Sequence, residues 1–134
     1  MPQPMLYQVL YVSTLSADQP LSVVAAIAHQ ARVANARMGI TALLVFDGQN
    51  FCQLLEGDRK PVLKLIERIR ADPRHHGVEV LHHGPLAERS FSDFQLNFTN
   101  GEEDADRTPL QALEALDGEA AVAAFHALRA DLPL

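Results

Sequence analysis

Three side chains in this sequence have the chemistry to grip a polar aromatic ring: the phenol of Tyr11 and the carboxamides of Asn35 and Gln53. Gln53 stands out first. It sits between Cys52 and Leu54 in an apolar run, where Leu or Val would be ordinary. A carboxamide carries two N–H donors and an acceptor oxygen. Left without partners in a core, it costs about 1–3 kcal/mol. Either neighbouring main chain satisfies it or a ligand does. A phenol and two amides around an apolar slot suit a flat heterocycle with amide-like edges.

Those three residues need elements to bring them together. Residues 39–57, GITALLVFDGQNFCQLLEG, hold two apolar runs joined by Asp47-Gly48-Gln49-Asn50. A turn-forming Asp-Gly between such runs predicts a β-hairpin. Alternation puts Phe51, Gln53 and Leu55 on one face and Cys52, Leu54 and Glu56 on the other. Residues 6–13 (LYQVLYVS) read as an earlier strand, with Tyr7, Val9, Tyr11 and Ser13 on one face. Residues 21–34 carry apolar Leu21, Val24, Ala25, Ile27, Ala28 and Ala31, the spacing of an amphipathic helix that fades near Asn35. Ser16 or Asp18 is its expected cap.

A second helix follows Gly57. Asp58 is its expected cap, Val62, Leu63, Leu65, Ile66 and Ile69 its apolar stripe, and Asp72-Pro73 its end. Residues 78–81 read as a fourth strand continuing weakly to Pro85, and residues 91–98 as a fifth. Residues 109–132 are Ala- and Leu-rich and break at Asp117-Gly118, which predicts two short helices or one kinked helix. The order β-α-β-β-α-β-β predicts an α+β, ferredoxin-like sheet with both helices on one face. The C-terminal helices would cover the other. In such a sheet the first and third strands are neighbours, so Tyr11 and Gln53 should meet on the helix-facing side.

Composition narrows the classes. A chain of 134 residues reads as one domain, with a flavourless acidic balance of −6 and pI near 5.4. Basic residues are scattered, with no basic run beyond Arg59-Lys60, which argues against a nucleic-acid partner. No stretch of about 20 apolar residues predicts a membrane span, and no secretory signal is seen, so a cytoplasmic location is expected. Cys52 is the single cysteine, which removes internal disulfides and cysteine metal clusters. The pairs His75-His76 and His82-His83 place adjacent rings on opposite faces of a strand and make poor chelates, so no metal is expected. Arg74 and His75, just after the second helix, stand as a phosphate-reaching pair or as a solvated turn.

Taken together, these motifs resemble the BLUF domain, a small flavin-binding, blue-light-sensing module. The resemblance covers residues 6–98. It rests on Tyr11-Val12-Ser13, on Asn35-Ala36-Arg37 leading into Gly39-Ile40-Thr41, and on Phe51-Cys52-Gln53-Leu54-Leu55-Glu56-Gly57. Asp72-Pro73-Arg74-His75 and Ala87-Glu88-Arg89-Ser90-Phe91 complete it. Asn35 lies 24 positions after Tyr11, and Gln53 lies 18 after Asn35.

The resemblance implies FAD, or FMN, held between the two helices. It implies that Tyr11 gives an electron and then a proton to the excited flavin. It implies that Gln53 lies between that phenol and the flavin and rearranges its amide, giving a red-shifted signalling state. Asn35 would bond the ring's pyrimidine edge, and Arg74 and His75 the ribityl and phosphate end. Residues 1–100 would be the photosensory domain and residues 101–134 a helical cap and output extension. With only about 36 residues after Phe98, output is expected to pass to a separate partner protein or through a homo-oligomer, and no catalysis is expected. Phe94 and Leu96 stand where the family often has Trp and Met, and Ala42 where Gly is common. The rival readings on this scaffold are an acylphosphatase-like hydrolase, disfavoured by the lack of a glycine-bearing anion loop, and a flavin-free interaction module.

Overall fold

A computed structural model describes residues 6–98 and 118–130. Its elements are β1 (Leu6–Leu15), α1 (Val23–Arg37), β2 (Thr41–Phe46), β3 (Asn50–Asp58), α2 (Arg59–Ala71), β4 (His75–Leu86), β5 (Phe94–Phe98) and α3 (Gly118–Ala130). The five strands form one sheet in the order β4-β1-β3-β2-β5. The first four strands have the ferredoxin-like arrangement. β5 is added beside β2 and runs parallel to it, while the other pairs are antiparallel. The fold is the α+β class expected.

Each sheet face has its own core. The α1 and α2 side gathers Tyr7, Val9, Tyr11, Leu44, Phe51 and Leu55 with Val24, Ala28, Val62 and Ile66 of the helices. The outer side gathers Leu10, Val12, Leu43, Val45, Cys52 and Leu54 beneath Ala121 and Phe125 of α3. Ala121 and Phe125 are four residues apart and lie on one helix face. Burial of the Phe125 side chain alone contributes about 1.5–3 kcal/mol. The expected C-terminal helix on the outer face is thus present over Gly118–Ala130. The parts of that expectation over residues 109–117 and 131–132 lie outside the described residues.

The boundaries differ in instructive ways. α1 begins at Val23 and runs to Arg37, three residues past the expected end. Leu21 and Ala25 are exposed, and the buried stripe is Val24, Ala28 and Asn35. Neither Ser16 nor Asp18 caps it; Ser22 holds the cap position without a side-chain bond, and Val23 N–H donates to the Pro20 carbonyl. Asp58 sits at the cap of α2 but makes no side-chain cap bond either. β4 is longer than expected because it follows β1 from Leu6 opposite Leu86 to Leu15 opposite His75, with two register shifts on the way. β5 starts at Phe94, not at residue 91, because the Phe91 N–H goes to the Glu56 carboxyl and not to a strand ladder.

Two turns fix the site. The hairpin turn is closed by the Asp47 carboxylate, which accepts the N–H groups of Gln49 and Asn50 at 3.0 and 2.7 Å. The α1 terminus is closed by Gly39 at φ 67°. There Ile40 N–H donates to the Asn35 carbonyl at 2.9 Å and Gly39 N–H to that of Ala36 at 3.3 Å. This double bond pattern, with glycine in the left-handed region, is a Schellman termination.

Candidate functional site

Tyr11 and Gln53 lie directly opposite one another on the neighbouring strands β1 and β3. Both point to the helix side, and the Gln53 amide Nε2 donates to the Tyr11 hydroxyl at 2.7 Å. The amide oxygen Oε1 is buried and has no partner among the described residues. The same holds for both Nδ2 and Oδ1 of Asn35, which is 1% exposed. Three buried polar atoms without partners is an unfavourable arrangement for a protein alone, since each costs about 1–3 kcal/mol.

All three atoms belong to residues lining one cleft between α1, α2 and the sheet. Its volume is about 780 Å³, counting the part open to solvent. α1 presents Ile27, Gln30, Ala31 and Ala34 to it, positions that fall on one helix face. The small side chains of Ala31 and Ala34 leave room there. α2 presents Leu65, Arg68, Ile69 and Asp72, again one face. Leu44 and Phe51 form the floor with Tyr11 and Gln53.

Arg74 and His75 stand at one end of the cleft. The Arg74 guanidinium grips Asp72 with Nη2 at 2.6 Å from Oδ2 and Nε at 3.0 Å, while the Arg74 N–H donates to Asp72 Oδ1 at 3.0 Å. Those bonds hold the Asp72 carboxyl below the usual carboxylate range, against partial burial, which opposes the shift. Both ring nitrogens of His75 are engaged: Nε2 meets the Ile69 carbonyl at 2.6 Å, and Nδ1 the Ser13 hydroxyl at 2.7 Å. A carbonyl can only accept, so Nε2 carries a proton there, and a hydroxyl can meet Nδ1 as donor or acceptor. His75 therefore pins the end of α2 to β1.

Tyr11 is 4% exposed. Burial pushes its phenol well above the ordinary range, and the hydrogen bond from Gln53 offsets part of that shift. The phenol thus keeps its proton at any physiological pH. A hydroxyl can accept from the amide N–H or donate to the amide oxygen. The Tyr11–Gln53 pair can therefore be satisfied with the amide in either orientation. Each orientation turns the opposite end toward the cleft.

The structure brings Tyr11, Asn35, Gln53, Arg74 and His75 around one cleft. Sequence reading missed Gln30 and Arg68, which lie outside the apolar stripes it assigned to the two helices. Arg68 lies three residues after Leu65 and four before Asp72, and that spacing was the available signal. Among the described residues no group of His, Cys, Asp or Glu is placed to hold a metal ion. No helix of the described residues is long and apolar enough to cross a membrane.

An isoalloxazine fits this cleft: the orphaned amide atoms supply both donors and acceptors for its polar edges, and Ile27, Ala31, Leu44, Phe51, Leu65 and Ile69 supply apolar wall. The sequence profile described as "Sensors of blue-light using FAD" matches residues 6–97. The photoactivated adenylate cyclase subunit beta of Euglena gracilis is 36% identical over 102 residues, covering 75% of this chain and 12% of that protein. The blue light- and temperature-regulated antirepressor BluF of Escherichia coli K12 is 32% identical over 74 residues, 55% of this chain and 18% of that one. The chain therefore spans a small part of the length of these relatives. Among solved structures, the dark-state structure of BlrB, a BLUF protein, is 30% identical and covers 92% of this chain and 93% of its own, with a TM-score of 0.74. Klebsiella pneumoniae BlrP1 gives 30% identity over 81% of this chain and 28% of its own, with a TM-score of 0.66. The matched span covers every residue of the cleft, and the chain belongs to the BLUF family of blue-light sensors, whose cofactor is FAD.

Proposed function

We propose that this chain senses blue light through a proton-coupled change in the Tyr11–Gln53 pair and passes the result to another protein. The observation that carries this reading is the buried Gln53 amide, bonded to a phenol at one end and unmatched at the other. When bound, the flavin would supply blue-light absorption and an acceptor for one electron and one proton. Tyr11 would give up an electron and its phenolic proton on illumination and recover both once the Gln53 amide has turned, so the red-shifted state carries no net oxidation. Gln53 reorients, reversing which end it offers to Tyr11 and which to the cleft. Asn35 holds the ring's amide-like edge, and Arg74 and His75 stand toward its ribityl and phosphate end. FMN would occupy the ring site equally well.

The reading assigns residues 1–100 to sensing and residues 101–134 to output, with no catalysis in the chain itself. Its setting is the cytoplasm, and its partners are a second copy of the chain or a separate effector protein. An absorption spectrum before and after blue illumination tests it. The expected result is a flavin spectrum that shifts to the red and relaxes in the dark; a colourless protein, or a flavin spectrum indifferent to light, refutes it.

Asn35→Ala separates ligand binding from folding. It removes two buried polar atoms that have no partner among the described residues. The urea midpoint of the flavin-free protein should hold or rise. Flavin affinity should fall about 5- to 150-fold, the equivalent of about 1–3 kcal/mol. A loss of stability with unchanged affinity would make Asn35 a structural residue only.

A further inference from the structure

Glu56 is 0% exposed, a fully buried carboxyl on the sheet face opposite Gln53. Nothing in the light-sensing chemistry uses it. Its Oε1 accepts the main-chain N–H groups of Ser90 at 2.7 Å and Phe91 at 3.2 Å, and Oε2 has no partner among the described residues. Next to it, the Arg89 guanidinium donates to the Glu56 carbonyl at 3.0 Å, to Thr41 Oγ1 at 2.9 Å and to the Gly39 carbonyl at 2.8 Å. Gly39 is the residue that terminates α1 just after Asn35. The segment 89–91 therefore holds both elements that carry the amides of the cleft, β3 through Glu56 and the α1 terminus through Gly39.

The same segment reaches the outer face. Phe91 is buried in the core beneath α3, with Phe125 and Ala121, and its ring centroid lies 6.1 Å from that of His126. Glu56 is three residues along β3 from Gln53, about 10 Å at the rise of a strand. β3 lies at the centre of the sheet and is buried from Asn50 to Gly57, so Gln53 and Glu56 share one packed strand. A carboxylate bonded to main-chain N–H groups is a short, stiff link.

We propose that Glu56 is a positioning residue that couples the cleft to α3, by tying β3 to the 89–91 segment against which α3 packs. This rests on the light-sensing reading above. Gln53 and Glu56 are then the two ends of one lever, the switch on the helix side and the latch on the outer side.

The test uses the full chain loaded with FAD, as wild type, Glu56→Ala and Glu56→Gln. Two quantities are read in each: the light-induced red shift, and the light-minus-dark change in amide hydrogen exchange over α3. In wild type both should be present. Glu56→Ala should keep the red shift while the exchange change over α3 falls about threefold or more. Glu56→Gln keeps an oxygen acceptor for both N–H groups and should restore it, which a packing role for the charge alone would not predict. Should Glu56→Ala fail to fold, Glu56→Asp draws the carboxyl back by one methylene and is read in the same way. An unchanged exchange response over α3 in Glu56→Ala or Glu56→Asp overturns the proposal, as does a wild type whose red shift brings no exchange change there. A wild type with no red shift overturns the light-sensing reading itself, and the absorbance alone distinguishes that failure.

Discussion

Gln53→Leu should bind flavin and show no light-induced red shift. Leu fills a similar volume on β3 but can neither donate nor accept. The bond from Gln53 Nε2 to the Tyr11 hydroxyl disappears, and so does the unmatched Oε1. Removing a buried oxygen that has no protein partner relieves the free protein of a desolvation cost, so folding should survive. Asn35 and the apolar walls remain to hold the ring. What disappears is the amide bonded to Tyr11, whose proposed rotation changes the hydrogen bonds offered to the cleft. The light-minus-dark absorbance difference should fall below about a tenth of wild type, since neither orientation remains available to a hydrocarbon. A shift of normal size in this variant would remove Gln53 from the mechanism.

Tyr11→Phe should have an equally large effect for a different reason. It deletes the proposed donor of the electron and proton and leaves the Gln53 amide buried with no bond at either end. The folded protein should lose about 1–3 kcal/mol from that stranded amide, read as a lower urea midpoint. The red-shifted state should be absent while flavin absorption persists. The pH dependence follows from burial, which raises the Tyr11 pKa on folding. A raised pKa contributes stability that is present below the unfolded phenol value of about 10 and is lost as pH rises above it. Wild type should therefore lose stability in alkali, and Tyr11→Phe should flatten that decline. From about pH 6 to about pH 9 the photoresponse of wild type should show no step from phenol titration, because Tyr11 stays protonated across that range. An unaltered alkaline decline in Tyr11→Phe would show that Tyr11 does not carry the shift.

Most of the sheet was legible because alternation is a strong signal in a short chain. The Phe51, Gln53 and Leu55 face and the Cys52, Leu54 and Glu56 face are where periodicity put them. The Asp-Gly turn is where its chemistry put it. What periodicity could not give was anything decided by a partner distant in sequence. β4 extends to His75 because β1 pairs with it as far as Leu15, although its own residues include Gly77 and Gly84. β5 is short because Glu56, some 35 residues earlier, takes the Phe91 N–H. Glu56 was noticed only as an alternating position, since a single charge at the end of a strand usually marks solvent. Arg68 and Gln30 were hidden for the converse reason. Polar residues on an amphipathic helix are read as solvated unless a groove beside them is known. Phe94 lies in the helix-side core with the Arg32 guanidinium 5.6 Å over its ring, so an aromatic is retained where the family often has Trp. The side chain of Leu96 lies outside the described residues.

The termination of α1 has a thermodynamic consequence. Asn35 gives its carbonyl to the Ile40 N–H, so its backbone is locked by the chain's own turn while its side chain faces the cleft. Tyr11 is locked in the same way by the β1 ladder. The host is assembled before its guest arrives, and little conformational entropy is left to lose on capture. Affinity at such a place is set by desolvation and fit, and a change at Gly39 should loosen the grip on the ring without touching an atom that meets it.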